Sequence, residues 1–241
     1  MIVEVCLVGV ESAVSAQAGG ASRIELCENL AEGGTTPGWG MISLAREKLS
    51  IPIHVMIRPR AGDFVYSDLE FEVMKRDVIT AVSLQVDGVV FGLLTPDRDI
   101  DVGRTKELMD LARPLSVTFH RAFDATTDPL SALDDLIRLG VNRLLTSGQQ
   151  ATAWEGRELI RELVESANGR LHIMAGSGIN AHNAAELIAA TGIQEIHVGS
   201  ACTEVIASNH SLPEANHSIR RVTARRVRKV VEAVRRVRDN I

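Results

Sequence analysis

The chain has 241 residues, of which 45% are hydrophobic and 24% are charged, a balance typical of a folded globular protein and not of a disordered one. Its net charge of −5 at pH 7 argues against a general nucleic-acid binder, because such proteins are normally basic. No run of apolar residues approaches the ~18 that cross a bilayer, so we expect neither a nucleic acid nor a membrane as a partner.

Eight short runs rich in Val, Ile, Leu and Phe are predicted to be β-strands. They cover residues 2–7, 23–27, 52–58, 88–92, 116–121, 142–147, 171–176 and 195–200. Between them lie helical patterns with capping residues, such as the Ser67–Glu70 capping box and Asp128-Pro129 before the closing Gly140. Strand and helix therefore alternate eight times, which predicts a single-domain (β/α)8 TIM barrel over residues 1–241. A doubly wound sheet is the alternative, although no G-x-G-x-x-G follows the first strand.

The final stretch, about residues 219–238, is predicted to be the last outer helix, with its arginines on a solvated face. Its buried stripe would consist of Val227, Val230, Val231, Val234 and Val237. A weak internal repeat supports the strand count. A helix-ending glycine stands three residues before a charged strand start at Arg23, Arg143 and Glu195.

The predicted strands are apolar on one face and polar on the other. Because side chains of a barrel strand alternate between the outer helices and the interior, the apolar face must contact the helices. The interior face then holds Glu4, Cys6, Glu25, Cys27, His54, Met56, Arg58, Thr118, His120, His172, Met174 and His197. Ionised groups in a dry interior cost several kcal/mol unless they are paired, so we predict a polar, partly open barrel centre that holds a site.

Sites in such barrels lie at the carboxyl ends of the strands. Cys6, Cys27, Arg58 and His120 lie at or near these ends. His54 and His172 begin their strands and are expected to be hydrogen-bonded residues of the barrel floor. Three chemistries remain open for the mouth.

The first is a soft-metal site. Cys6 and Cys27 end neighbouring strands, which lie about 4.8 Å apart, and Met56 shares their face. Thiolate and thioether ligands select Cu(I) over harder ions. The alternative is that both cysteines are small hydrophobic residues of the interior.

The second is an anion site. Gly176, Ser177 and Gly178 follow the seventh strand and Ser200 follows the eighth, where backbone N–H groups of a barrel commonly hold phosphate. Arg58 and Arg60 would add guanidinium contacts. The alternative is that these glycines only close tight turns.

The third is acid–base catalysis by Glu4, Glu25 and His120, with Asp124 four residues beyond the histidine. The alternative is a structural ion-pair network, in which Arg58 and Arg121 neutralise the two glutamates.

Six blocks in order carry a resemblance to a known family: "EVC", "GGASRIELCENLAEGGTTPGWG", "VMIRPRAGDFVYS", "DGVVFGLL", "VTFHRAFD" and "LLTSGQ". Over about residues 2–202 the chain resembles the CutC family of copper homeostasis proteins. The resemblance implies a cytoplasmic (β/α)8 barrel, often oligomeric, that is assigned to copper tolerance and Cu(I) binding, with Cys6 and Cys27 as the copper ligands. The stretch 201–221 departs from the family pattern, and its His210 and His217 are candidate extra ligands.

We therefore expect a copper homeostasis protein that binds Cu(I) through Cys6 and Cys27. A TIM-barrel enzyme acting on a small anionic or phosphorylated metabolite is the alternative, and a barrel that only senses such a metabolite is a third possibility. The three cysteines are too few for a disulfide framework and no signal peptide is recognised after Met1, which predicts the cytoplasm. A homo-oligomer is expected.

Overall fold

A computed structural model describes residues 1–206 and 219–238. Eight parallel strands form a closed barrel in chain order, with β8 pairing back to β1. The strands are β1 Ile2–Leu7, β2 Arg23–Leu26, β3 Ile53–Met56, β4 Gly88–Phe91, β5 Ser116–Phe119, β6 Arg143–Thr146, β7 His172–Ala175 and β8 Glu195–Val198. The predicted TIM barrel is confirmed, and every predicted strand is present.

Helices follow the strands and surround the barrel. They are α1 Val10–Ala18, α2 Trp39–Lys48, α3 Asp68–Ser83, α4 Val102–Ala112, α5 Pro129–Leu139, α6 Arg157–Ala167, α7 Ala184–Thr191 and α8 Ala224–Arg238. The capping box at Ser67 and Glu70 is confirmed, and so is the Asp128 cap of α5 with Gly140 in the left-handed conformation at its end. Within the described ranges, no helix is long and apolar enough to cross a membrane.

The two faces of the strands separate as predicted. The apolar face, for example Val5, Ile24 and Val55, packs with the helices in the main hydrophobic core. Inside the barrel a separate small cluster contains Cys6, Cys27, Met56 and Val90. The interior below this cluster is polar, as the alternation of the strands requires.

Charged residues at three strand starts form an ionic floor across the barrel. Arg23 donates to Glu4 and, at 2.8 Å, to Glu195. Arg143 donates to Glu195 from the other side, with its second contact at 3.1 Å. We define Arg23, Arg143, Glu195 and Glu4 as the ionic floor. A salt bridge this deep requires partners on both sides to offset desolvation, and each carboxylate here has them.

Two expectations for the floor are wrong. Arg58 and Arg121 do not neutralise the interior glutamates, because Arg23 pairs with Glu4 and Arg121 pairs with Asp124 at 2.7 Å. His172, the first residue of β7, is exposed instead of being buried in the interior. His54 does lie there, but its Nδ1 has no partner among the described residues. Burial lowers the pKa of His54 to about 4, so the ring is neutral.

The last helix begins later than predicted. Residues 219–222 form strand β10 (Ile219–Val222), which pairs antiparallel with β9 (Thr203–Ile206). This antiparallel pairing provides backbone partners for residues that the valine spacing of the tail had predicted to be helical. Helix α8 then packs against α1 and α7. Within its expected stripe, Val227, Val230, Val231 and Val234 are buried, and Val237 lies within the helix.

Candidate functional site

A cavity of about 1160 Å³ opens at the carboxyl ends of the strands, where the barrel mouth was expected. Strands β1, β2, β3 and β8 and the loops that follow them supply most of its lining. The lining includes side chains that can bind a metal ion, bind an anion or transfer a proton: Cys6, Glu25, Met56, Arg58, His120 and His197.

The two cysteines meet at the bottom of this cavity. Cys6 lies near the end of β1 and Cys27 directly follows β2, its neighbour in the sheet. Their Sγ atoms are 3.8 Å apart, and both residues are buried and free of disulfides. Gly34 (φ +91) passes so close that a Cβ there would lie 3.4 Å from the Cys27 Sγ and 3.5 Å from the Met56 Cε. The loop backbone therefore closes over the thiols, and Met56 borders the same space.

The surroundings of the two thiols shift their pKa values in opposite directions. A hydrogen bond from the Cys27 thiol lowers the pKa of Cys6 to about 5, against the opposing effect of burial and with help from His197. The same hydrogen bond and burial raise the pKa of Cys27 well above its usual value. Cys6 is thus a thiolate at neutral pH, and thiolates are the form that binds metals and acts as a nucleophile.

The Glu25 carboxyl group lies beside the two thiols, and its pKa is shifted. Its Oε2 lies 3.4 Å from the Cys27 Sγ, while its Oε1 has no partner among the described groups. Burial, reinforced by the negative charge of Cys6, raises the pKa of Glu25 well above its usual value.

His197, which the alternation of β8 placed inside but no motif singled out, connects the cavity to the ionic floor. Its Nδ1 contacts Glu4 Oε1 at 2.8 Å and its Nε2 lies 3.8 Å from Glu25 Oε2. Burial opposes the charged ring, but the surrounding carboxyl groups and Cys6 raise the pKa of His197 well above its usual value. Glu4 does not border the cavity. Its carboxylate is buried, yet Arg23 and His197 hold its pKa well below the usual range.

Arg58 fixes loops instead of neutralising a glutamate. Its Nη1 donates to the carbonyl oxygens of Glu32 at 2.9 Å and Gly34 at 3.0 Å, and its Nη2 donates to that of Gly62 at 2.8 Å. Its Nε is enclosed without a partner in the described part of the chain. The guanidinium lies 5.1 Å from the Phe64 ring centroid. Arg58 thus carries a buried positive charge to the cavity wall.

His120 also contacts the Phe64 ring, with the two ring centroids 5.0 Å apart. Its Nδ1 accepts a hydrogen bond from the backbone N–H of Ala122 at 3.2 Å, which leaves the proton on Nε2. Nε2 has no partner among the described residues. Burial, with the charge of Arg58, lowers the pKa of His120 to about 3, so the ring is a neutral hydrogen-bond donor.

Besides Glu4, Cys27 and Gly176, the predicted site residues Asp124 and Arg60 do not border the cavity. Asp124 accepts hydrogen bonds from Arg121 and from the Ser147 backbone and hydroxyl, and so ties the loop after β5 to the loop after β6. Arg60 pairs with Glu70 and Asp63 near the start of α3. Asp124 and Arg60 therefore hold loops in place outside the cavity.

The predicted anion-binding turn reaches the cavity in part. Ser177, Gly178 and Ser200 border it, whereas Gly176 is buried against Leu145. The Ser177 hydroxyl donates to the carbonyl of Ala151 at 2.8 Å. His210 and His217 lie outside the described residues.

The model of the CutC family matches residues 1–202. A family protein CutC of Chromobacterium violaceum is 52% identical over 199 residues, which are 83% of this chain and 81% of that protein. The copper homeostasis protein cutC homolog of Homo sapiens is 50% identical over 202 residues, covering 84% and 74% of the two chains. The crystal structure of a CutC protein from Streptococcus agalactiae, 38% identical, superposes with a TM-score of 0.79 over 83% of this chain and 98% of that one.

Proposed function

The chain belongs to the CutC family of copper homeostasis proteins, and on that premise we propose that it binds Cu(I) through Cys6 and Cys27. The observation that carries the proposal is the 3.8 Å separation of the two Sγ atoms at the bottom of the mouth cavity. Both sulfurs can contact one ion at this separation without a change of backbone.

The donor set fits this cargo. Thiolates are soft ligands and favour Cu(I), and Cys6 is held as a thiolate beside His197. The loop at Gly34 covers Cys27, which is fully buried, while Cys6 borders the cavity through which an ion could reach the pair. Met56 adds a thioether near the thiols, a further soft group.

An anaerobic titration with Cu(I) against a competing chelator tests the proposal. We expect one equivalent to bind tightly to the wild type and the affinity to fall at least ~100-fold in Cys6→Ser/Cys27→Ser, because both soft ligands are lost. Cys202→Ser is the matched control, since Cys202 is also a buried free cysteine but is not part of the Cys6–Cys27 pair. Binding that survives the double substitution would leave the pair as packing residues.

A second candidate function is supported by Arg58 and His120, which also line the cavity. Each holds a buried N–H group without a partner among the described residues, a combination suited to the carboxylate or phosphate of a small metabolite. Calorimetric titration with inorganic phosphate and with acetate tests this candidate. We expect binding to be lost in His120→Phe, which keeps the ring, and retained in His120→Gln, which keeps a donor. Equal binding by both variants would refute it.

We propose the cytoplasm as the place of action, because three free cysteines are maintained where thiols stay reduced. We also propose a homo-oligomer, which is supported by exposed apolar side chains such as Trp39 and Leu69 on neighbouring outer helices. Analytical ultracentrifugation tests the assembly, and a monomer at micromolar concentration would refute it.

A further inference from the structure

We infer that Cys6, Cys27 and Glu25 form a three-ligand site for a divalent ion of the Zn²⁺ class, with a fourth coordination position on the cavity side. This site shares the thiol pair with the proposed Cu(I) function but does not depend on it. One donor atom from each of the three residues lies within 4.8 Å of the other two, and all three residues are buried.

The separations match the angles of a tetrahedral ion. Two metal–sulfur bonds of about 2.3 Å that span the 3.8 Å between the sulfurs subtend an angle of about 110° at the metal. A metal–sulfur and a metal–oxygen bond of about 2.1 Å that span the 3.4 Å from the Cys27 Sγ to Glu25 Oε2 subtend about 100°. A linear two-coordinate ion would need the sulfurs farther apart, so the pair as built suits an ion with three or four ligands.

The donor chemistry also points to a divalent ion. A carboxylate is a hard ligand and contributes little to Cu(I), whereas Zn²⁺ accepts thiolate, imidazole and carboxylate together. Glu25 Oε2 lies 3.4 Å from the Cys27 Sγ, and Oε1 has no partner among the described groups. Oε2 is therefore the carboxylate oxygen placed to join the two sulfurs as a ligand.

A second shell that orients the ligands is already in place. The His197 ring is fixed by Glu4 at 2.8 Å on one nitrogen and lies 3.8 Å from Glu25 on the other. Glu4 is in turn held by Arg23 of the ionic floor. Metal ligands are typically oriented by such relays, and here the relay reaches from the floor to Glu25.

The fourth position follows from the burial of the ligands. Cys27 is fully enclosed, whereas Cys6, Glu25 and His197 border the cavity. An ion held by the three ligands therefore presents its remaining position to the cavity. A site with three protein ligands and one open position is the arrangement by which Zn²⁺ polarises a carbonyl or phosphoryl group of a bound molecule. The ion would thus be a Lewis-acid centre at the barrel mouth that engages a carbonyl or phosphoryl group of a bound molecule.

The test uses Zn²⁺ in competition with a chelator and Co²⁺ as a spectroscopic probe, on the full chain under anaerobic conditions. We expect one Zn²⁺ per chain, and with Co²⁺ the thiolate charge-transfer band and intense visible bands of a tetrahedral site. Glu25→Gln should weaken Zn²⁺ at least ~10-fold and change the Co²⁺ spectrum while leaving Cu(I) affinity within about threefold. Glu28→Gln is the matched control, because Glu28 borders the same cavity outside the ligand cluster.

The outcomes separate the two metal assignments. Zn²⁺ bound equally by the wild type and Glu25→Gln would overturn the inference, and so would a wild type that binds Cu(I) but no Zn²⁺. Zn²⁺ binding without Cu(I) binding would refute the proposed function and leave the inference standing. Glu25→Asp keeps a carboxylate and should retain the tetrahedral spectrum. If Glu25→Asp loses the tetrahedral Co²⁺ spectrum while its thermal midpoint stays at that of the wild type, this would also count against Glu25 as a ligand.

Discussion

Replacing Arg23 by methionine removes the central cation of the ionic floor while keeping a long side chain in place. The Arg23 side chain is 7% exposed, and its partners Glu4 and Glu195 are 0% and 6% exposed. After the substitution Glu4 retains only its contact with His197, and Glu195 retains only Arg143. Breaking a buried pair in this way costs about 3–5 kcal/mol, because the remaining carboxylate is left poorly compensated.

For a chain of this length each kcal/mol lowers the thermal midpoint by about 2–4 °C, so Arg23→Met should melt roughly 6–20 °C below the wild type. Urea unfolding followed by circular dichroism measures the free energy, and calorimetry measures the midpoint. Arg161→Met is the matched control, because its pair with Glu158 is 53% and 66% exposed and should contribute less than ~1 kcal/mol. Equal stability of the two variants would refute the view that the floor is a desolvated network.

Three further predictions follow from the buried groups. The rate at which iodoacetamide alkylates Cys6, mapped by mass spectrometry, should be independent of pH above about pH 6, because the pKa of Cys6 is about 5. Cys202, whose pKa burial raises to about 11, should stay unreacted. A Cys6 rate that still rises between pH 7 and 9 would contradict this. The pKa of His120 is lowered to about 3, so the unfolded chain gains a proton below its pKa of ~6.5 and stability should fall as the pH falls through this window. Between pH 7 and 5 the free energy of unfolding should drop about 2 kcal/mol more in the wild type than in His120→Phe, and equal drops would contradict it. Gly88→Ala should cost about 1–3 kcal/mol in urea unfolding, because a Cβ there would lie 2.6 Å from the His54 ring; an unchanged midpoint would show that the ring moves freely.

The strand alternation predicted which side chains face the interior of the barrel, because the alternation of side chains along a strand is fixed by its backbone geometry. A strand has a period of two, and a barrel strand has only an inner and an outer face, so assigning Val5 and Ile24 to the helices placed Cys6 and Glu25 inside. The proximity of Cys6 and Cys27 followed from adjacent parallel strands. The fold and the thiol pair were therefore accessible from the sequence.

The partners of the charged residues were not accessible in the same way. Arg58 was a plausible partner for Glu25, but it extends to loop carbonyls, and Arg23 was visible only as part of a repeat of charged strand starts. Pairing inside a barrel depends on stagger between strands, which determines whose side chains share a layer. Charged residues at the starts of several strands, on the inner face, were the signal that would have indicated the ionic floor.

The tail shows the limit of helix periodicity. The stretch 220–239 carries valines at helical spacing, yet Ile219–Val222 is a strand because it pairs antiparallel with β9 along one edge. Long-range pairing of this kind overrides local propensity, and no local signal encodes it.

X-ray absorption at the copper edge, on protein loaded anaerobically with one equivalent of Cu(I), tests the central claim most directly. The account predicts two sulfur neighbours around copper in the wild type and in Cys202→Ser, and their loss in Cys6→Ser/Cys27→Ser. A copper ion surrounded only by nitrogen and oxygen in the wild type would contradict it, because the ion would then lie away from the thiol pair.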